Sequence, residues 1–182
     1  QTDAPLSAQG RRQARVWNHE LRSLELTGIW SSDLQRATEM AAIAFAGRGV
    51  AVRSCRELRE LALGEWDGLP RRRVRERHPD LWHARGKDLA GFRPPGGESF
   101  SDLQERSVRR VQQIAATATG AVCLITHAGV IRVLMCHCLQ MPLSNLFRIR
   151  LDYGSMSIVG YEPNRVEVRA LNLKPPGFGG TA

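Results

Sequence analysis

The chain has 182 residues, 42% of them hydrophobic, and a formal net charge of +8 carried almost wholly by Arg. That length suits one domain with a sizeable core, and the composition excludes a disordered chain. No stretch is apolar enough to span a membrane, and the opening residues do not read as a signal segment.

Helical and extended patterns then alternate, which points to α/β architecture. Residues 1–7 read as a loop, and Ser7 as the N-cap of a helix with Ala14, Trp17, Leu21 and Leu24 on one face. Residues 28–32 read as a short strand. A second helix covers residues 34–46 and stops at Gly47, and residues 50–53 form the next strand. From Cys55 to Gly97 the pattern is irregular, with room for two short helices at most, and Pro79, Pro94, Pro95, Gly96 and Gly97 punctuate it. An insertion this long in a compact domain usually serves function. Ser99 opens a long helix, with Asp102 three residues on and Phe100, Leu103, Val111, Ile114 and Ala118 as its apolar stripe. Residues 121–126 are a buried strand, and residues 130–140 the helix that follows. The end of the chain is β-rich: 147–151, 155–161 and 166–171 alternate like edge strands, at least one of them antiparallel. The tail, residues 174–182, is rich in Pro and Gly and reads as loose. Nothing divides the chain, so residues 1–182 read as a single domain.

Cys55, Cys123, Cys136 and Cys138 form no CxxC pair, so neither zinc nor a disulfide framework is favoured, and a reducing cytoplasm is the simplest setting. The positive charge suits a phosphorylated or otherwise anionic small partner. It also raises nucleic acid. The densest basic run, residues 71–77, is broken by Glu76 and has no aromatic platform beside it. It reads as a solvated helix face or a patch that steers substrate. The expected partner is therefore a small phosphorylated substrate rather than nucleic acid or a membrane, and a homodimer is compatible with the sequence.

Four segments can carry chemistry. The run Leu124-Ile125-Thr126-His127-Ala128-Gly129 ends a strand and opens a helix. Ligands of open α/β sheets bind beyond the carboxyl ends of strands, and a helix N-terminus there attracts anions. His127 either faces a phosphate or is a satisfied His in the turn. In Ser31-Ser32-Asp33-Leu34-Gln35-Arg36-Ala37, Arg36 sits about one turn into a helix that follows a strand. It either reaches back to grip an anion bidentately or lies on a solvated face. In residues 58–68, Glu60 lies beside Leu61, whereas Glu65 and Asp67 fall in the turn with Gly64 and Gly68. A half-buried Glu60 suits a general acid, and an ordinary surface turn is the alternative. Pro94-Pro95-Gly96-Gly97-Glu98-Ser99 delivers Glu98 to a helix N-terminus, where it touches substrate or favours the helix dipole. His83 follows Trp82 in the insertion and is a further candidate substrate contact; with Trp66, Trp82 and Phe92 it would line the pocket. His19, His78 and His137 have no comparable setting, and the His spacing fits no metal site.

Taken in order, DAPLSAQGRRQA, SSDLQRA, LRELALGEWDG, PPGGES and LITHAGVIR resemble the histidine phosphatase superfamily, the phosphoglycerate mutase-like family. The resemblance implies a three-layer α/β sandwich with a mostly parallel central sheet and helices on both faces. It implies hydrolysis of a phosphomonoester through a phosphohistidine. The resemblance makes Arg36 the phosphate clamp, Glu60 the proton donor and His127 the second active-site His, with a hydrogen bond from the Ala128 backbone; Gly129, Glu98 and His83 stand as candidate substrate contacts on their own settings. No cofactor is implied, and no metal, because Arg and His supply the positive charge. The family's nucleophile lies in an Arg-His-Gly motif that is absent from residues 1–182, so a strand bearing it is expected upstream of Gln1. The short insertion and the ending DYGSMSIVGYEPNRVEVRALN look most like the α-ribazole phosphatases within the family. A broad-specificity phosphatase, a mutase-like enzyme or a phospholigand-binding pseudoenzyme are the alternatives.

Overall fold

A computed structural model describes residues 2–162 and 165–178. Ser7 caps the first helix, α1 (Ala8–Glu20), its Oγ accepting the Gly10 N–H at 3.1 Å. Strand β1 (Gly28–Ser31) is wholly buried and leads into α2 (Gln35–Ala44). No side chain of Leu34 can cap α2; the Asp3 carboxylate accepts the Gln35 N–H instead, at 2.6 Å. After β2 (Val52–Ser54) come two single 3-10 turns, Arg56–Leu58 and Gly64–Trp66, and then the two short helices of the insertion, α3 (Arg71–Arg77) and α4 (Pro79–Lys87). Ser99 and Asp102 cap α5 (Phe100–Thr117) reciprocally, each side chain satisfying the other residue's backbone N–H. Strand β3 (Val122–Ile125) feeds α6 (Ala128–Cys138), and β4 (Met156–Glu162) with β5 (Arg165–Leu173) closes the order.

The strands β2-β1-β3 form a parallel sheet in that order, Ile29 lying opposite Val52 on one side and Cys123 on the other. Neighbouring residues of β1 serve opposite cores, as the two-residue strand period requires. Ile29 packs with Ala14, Trp17, Ala44 and Phe45 of the α1–α2 layer. Trp30 packs with Leu103, Val111, Ile114, Val130 and Val133 of the α5–α6 layer. The expected three-layer arrangement, with helices on both faces of a parallel sheet, is therefore present. β4 and β5 pair antiparallel as a hairpin. Met156 of the hairpin joins the α1–α2 core and Val159 and Val168 join the α5–α6 core, so the hairpin lies in the same layer as the sheet. Among the described residues it makes no ladder with β3.

One expected element is absent. Residues 147–151 are not a strand: Pro142 starts a 3-10 turn, Leu143–Arg148, that buries Leu146 completely. Phe147 meets the edge of Phe100, with ring centroids 5.7 Å apart. α6 begins at Ala128 rather than two residues later, which brings the helix N-terminus directly against His127. Of the tail expected to be loose, Pro175 is buried, and residues 179–182 lie outside the described residues. No described helix is long and apolar enough to cross a membrane.

Candidate active site

Three segments meet at the carboxyl ends of β1 and β3. β3 ends one residue before Thr126, and His127 then takes extended backbone angles as the residue that opens α6. Its ring is 8% exposed, and Nε2 lies 2.8 Å from Oγ of Ser32, which follows β1. Burial pushes the imidazole pKa from 6.5 down to about 4, and the nearby positive charges of Arg36 and Arg106 push the same way, against a small opposing pull from Asp33. His127 is thus a neutral imidazole at neutral pH. Arg36 lies at the start of α2, near enough for its charge to act on His127, and its Nη1 donates to the Thr2 carbonyl at 3.0 Å.

Glu60 arrives from the loop after β2. One carboxylate oxygen accepts the Gly129 N–H at 3.1 Å and the other its neighbour Leu61 N–H at 2.8 Å. The carboxylate therefore rests on the first turn of α6, where the helix dipole favours negative charge. A Cβ at Gly129 would run into the Glu60 carboxylate, which would then have to leave this position. Ala128, the first residue of α6, separates His127 from Gly129 at this same helix end. The turn after Glu60 depends on a second glycine. Gly64 has φ +58° and packs on the backbone of Pro95, Gly96 and Gly97, which leaves no room for a side chain.

His127, Arg36, Glu60, Ala128 and Gly129 are thus gathered at one rim of the sheet. Glu98 stands one step behind it. Its carboxylate binds Arg106 through both oxygens, at 2.7 and 3.0 Å, and also accepts the Ala62 N–H. Burial alone would raise its pKa, but the bonds from Arg106 and Ala62 hold it below the ordinary value. Glu98 does not cap α5 either, since Ser99 and Asp102 do. His83 is exposed on α4, and no hydrogen bond or ring contact joins it to His127 or Arg36. Trp66, expected at the pocket, is 3% exposed. It is buried in a cluster of its own, stacked on Phe92 at 5.4 Å, with the rings of His78 and Trp82 at 6.3 and 6.5 Å.

The structure adds residues that the motifs did not mark. Ser32 supplies the partner of His127. Asp33 and Arg59 form a two-bonded ion pair at 2.5 and 2.6 Å, which keeps the Asp33 carboxyl below its usual range and ties the Glu60 loop to the start of α2. Arg106 reaches the same loop from α5. Asp33 and Ser32 stand inside the quoted SSDLQRA motif; Arg106 lay eight residues beyond Glu98, a spacing of about two helical turns that could have marked the pair. Among the described residues, no three His, Cys, Asp or Glu side chains converge as metal ligands.

Residues 1–174 match the profile of the histidine phosphatase superfamily, branch 1. The chain is 24% identical over 174 residues to the adenosylcobalamin/alpha-ribazole phosphatase of Escherichia coli strain K12, covering 95% of this chain and 86% of that one. A protein of Mycobacterium tuberculosis strain H37Rv named as bifunctional is 34% identical over 149 residues, covering 81% of this chain and 41% of that longer protein. Among solved structures, mycobacterial glucosyl-3-phosphoglycerate phosphatase in complex with inorganic phosphate is similar with a TM-score of 0.83 at 30% identity, over 96% of this chain and 90% of that one.

Proposed function

Because this chain belongs to the histidine phosphatase superfamily and is a phosphomonoester hydrolase of that type, we propose that the rim around His127 hydrolyses a small phosphomonoester in two steps. In the first, a second imidazole attacks phosphorus. A P–N bond forms, the P–O bond to the leaving group breaks, and Glu60 gives its proton to the departing oxygen. In the second, Glu60 takes a proton from water as the water oxygen attacks phosphorus and the P–N bond breaks. Arg36 and the N–H groups at the start of α6 hold the phosphoryl oxygens, and His127 stabilises the charge that builds on them. Such chemistry depends on positioning and charge compensation.

The observation that carries this reading is that the Glu60 carboxylate rests on the N-terminus of the helix that His127 opens, with the Arg36 charge close enough to act on His127. We assign the nucleophile to a further strand bearing the Arg-His-Gly motif that residues 1–182 lack, and the pairing of β3 supports that reading. β3 is an apolar strand with one unpaired edge among the described residues, and all four of its residues are only half-buried while β1 is fully buried. The hairpin packs on the same two helix layers through Met156, Val159 and Val168. A strand laid beside β3 would cover the edge, which unpaired invites association.

For substrate, we assign the α-ribazole 5′-phosphate class, following the E. coli relative and the chain's short insertion. The higher identity to the glucosyl-3-phosphoglycerate phosphatase favours a second reading, a phosphorylated sugar acid. The test is a phosphatase screen of the polypeptide carrying its upstream strand, with α-ribazole 5′-phosphate, glucosyl-3-phosphoglycerate and 3-phosphoglycerate. Preference for the first supports the assignment, and preference for either of the others transfers it. No turnover of any phosphomonoester would reduce the chain to a phospholigand-binding module.

A further inference from the structure

The segment from Glu57 to Ala62 is irregular, yet little of its backbone is left to solvent. The carbonyls of Glu57, Arg59 and Glu60 all accept from one guanidinium, that of Arg106, at 2.6, 3.0 and 3.1 Å. The carbonyl between them, Leu58, accepts from Thr126 Oγ1 at 2.7 Å, one residue before His127. Glu98 completes the hold. It accepts the Ala62 N–H on its carboxylate at 3.0 Å and donates its own N–H to the Ala62 carbonyl at 2.8 Å. The Arg106–Glu98 pair is about three-quarters buried, and both carboxylate oxygens meet the guanidinium fork.

We propose that Arg106, oriented by Glu98, is a positioning residue that sets the Glu60 carboxylate on the first turn of α6, and so governs proton delivery to the leaving oxygen without touching substrate. The inference rests on Glu60 being the proton donor. Its physical basis is the planar fork of five N–H donors, which reaches three carbonyls and a carboxylate at once. Lys carries the same charge but has three donors on a single nitrogen, so it cannot span this set. Loss of the fork leaves the segment joined to β3 by Thr126 and to α2 by the Arg59–Asp33 pair, which preserves the fold while freeing Glu60 to wander. A misplacement of about 1 Å in a reacting group costs up to about 100-fold in rate.

The test uses Arg106→Lys, Glu98→Gln and Glu60→Gln in the polypeptide carrying its upstream strand. Rates are measured on an alkyl phosphate, whose leaving oxygen needs a proton, and on p-nitrophenyl phosphate, whose leaving group does not. Arg106→Lys is expected to lower kcat on the alkyl ester by at least about tenfold, to leave KM and the aryl rate within about twofold, and to add nothing to Glu60→Gln in the double variant. Amide exchange at residues 57–62 should rise while exchange in α1 holds. Equal losses on both esters, or fully additive effects in the double variant, would overturn the proposal. So would unchanged exchange at residues 57–62. If Arg106→Lys loosens α1 as well, Glu98→Gln decides: it removes the carboxylate that orients the guanidinium, and is expected to lower alkyl-ester turnover and raise exchange at residues 57–62 while exchange in α1 holds. If Glu60→Gln itself treats the two esters alike, the proton-donor assignment fails, and the exchange data judge the strap separately.

Discussion

Burial of a neutral His beside two guanidinium groups has a measurable consequence for stability. His127 is 8% exposed and its pKa is lowered to about 4 from an ordinary 6.5. Between those values the unfolded chain binds a proton at position 127 and the folded chain does not. Stability therefore falls as pH falls through 6.5, and the loss stops growing below about 4. Linkage with these two values gives a loss of about 2 kcal/mol on going from pH 7 to pH 5, approaching about 3 kcal/mol at pH 4. The carboxylates of Asp33, Glu98 and Asp102 are held below their ordinary range, so their contributions are lost mostly at lower pH than this window. The assay is urea unfolding of the wild type and of His127→Gln at pH 7, 6 and 5. Gln keeps a polar end toward Ser32 and does not titrate. The wild type should lose about 2 kcal/mol more than the variant over that range, whatever their absolute stabilities. Parallel pH dependence in the two proteins would show that His127 is not held neutral by its surroundings, and the account of the site's electrostatics would fail with it.

Three further outcomes follow from the geometry. Arg36→Ala should weaken inhibition by inorganic phosphate and remove most of the hydrolytic rate while leaving the urea midpoint nearly unchanged, because among the described residues its side chain bonds only the Thr2 carbonyl; a wild-type inhibition constant would take Arg36 out of the site. Gly129→Ala places a methyl where the Glu60 carboxylate lies, so it should lower alkyl-phosphate turnover by about 10- to 100-fold with a smaller effect on an aryl phosphate. Equal effects on both substrates would mean that Glu60 is held elsewhere during turnover. Ser99→Ala removes half of the cap of α5 and should cost about 1 kcal/mol in urea unfolding, and a loss under a few tenths would show that Asp102, already bonded to Arg93, suffices as the cap.

Much of this architecture is legible in the sequence because its signals are local. Ser7 and Ser99 announce their helices through side chains that bond within three residues. The turn from β3 into α6 is marked by an apolar run that ends at His127. Where the sequence misled, a tertiary contact had replaced a local one. Phe147, Ile149 and Leu151 alternate like a strand, yet the chain around them coils so that Leu146 is buried against α6 and Phe147 lies under the guanidinium of Arg132. Gly129 read as a position before the helix, because glycine is a poor helix former; its reason is the Glu60 carboxylate, which arrives from 69 residues away. Arg106 belongs to no motif, and only its eight-residue spacing from Glu98 hints at it. Three of its partners are backbone carbonyls, and a carbonyl has no residue type to recognise.

The same charges, counted pair by pair, explain why this rim suits a dianion. Arg59 is matched by Asp33 and Arg106 by Glu98, each through two bonds, so neither contributes a full free charge to the site. Among the described residues Arg36 has no carboxylate partner, and His127 is kept uncharged by burial. On the proposed reading, a ligand meets the Arg36 guanidinium, the N-terminal end of α6 and the neutral imidazole of His127. On that reading, a phosphate bound beside His127 brings negative potential and so pulls the imidazole pKa upward against the burial that lowered it. The proton that stabilises the transferring phosphoryl group is therefore taken up most readily when the phosphate is in place. Arg36 and the helix end draw the anion in, and the two matched pairs hold the walls still.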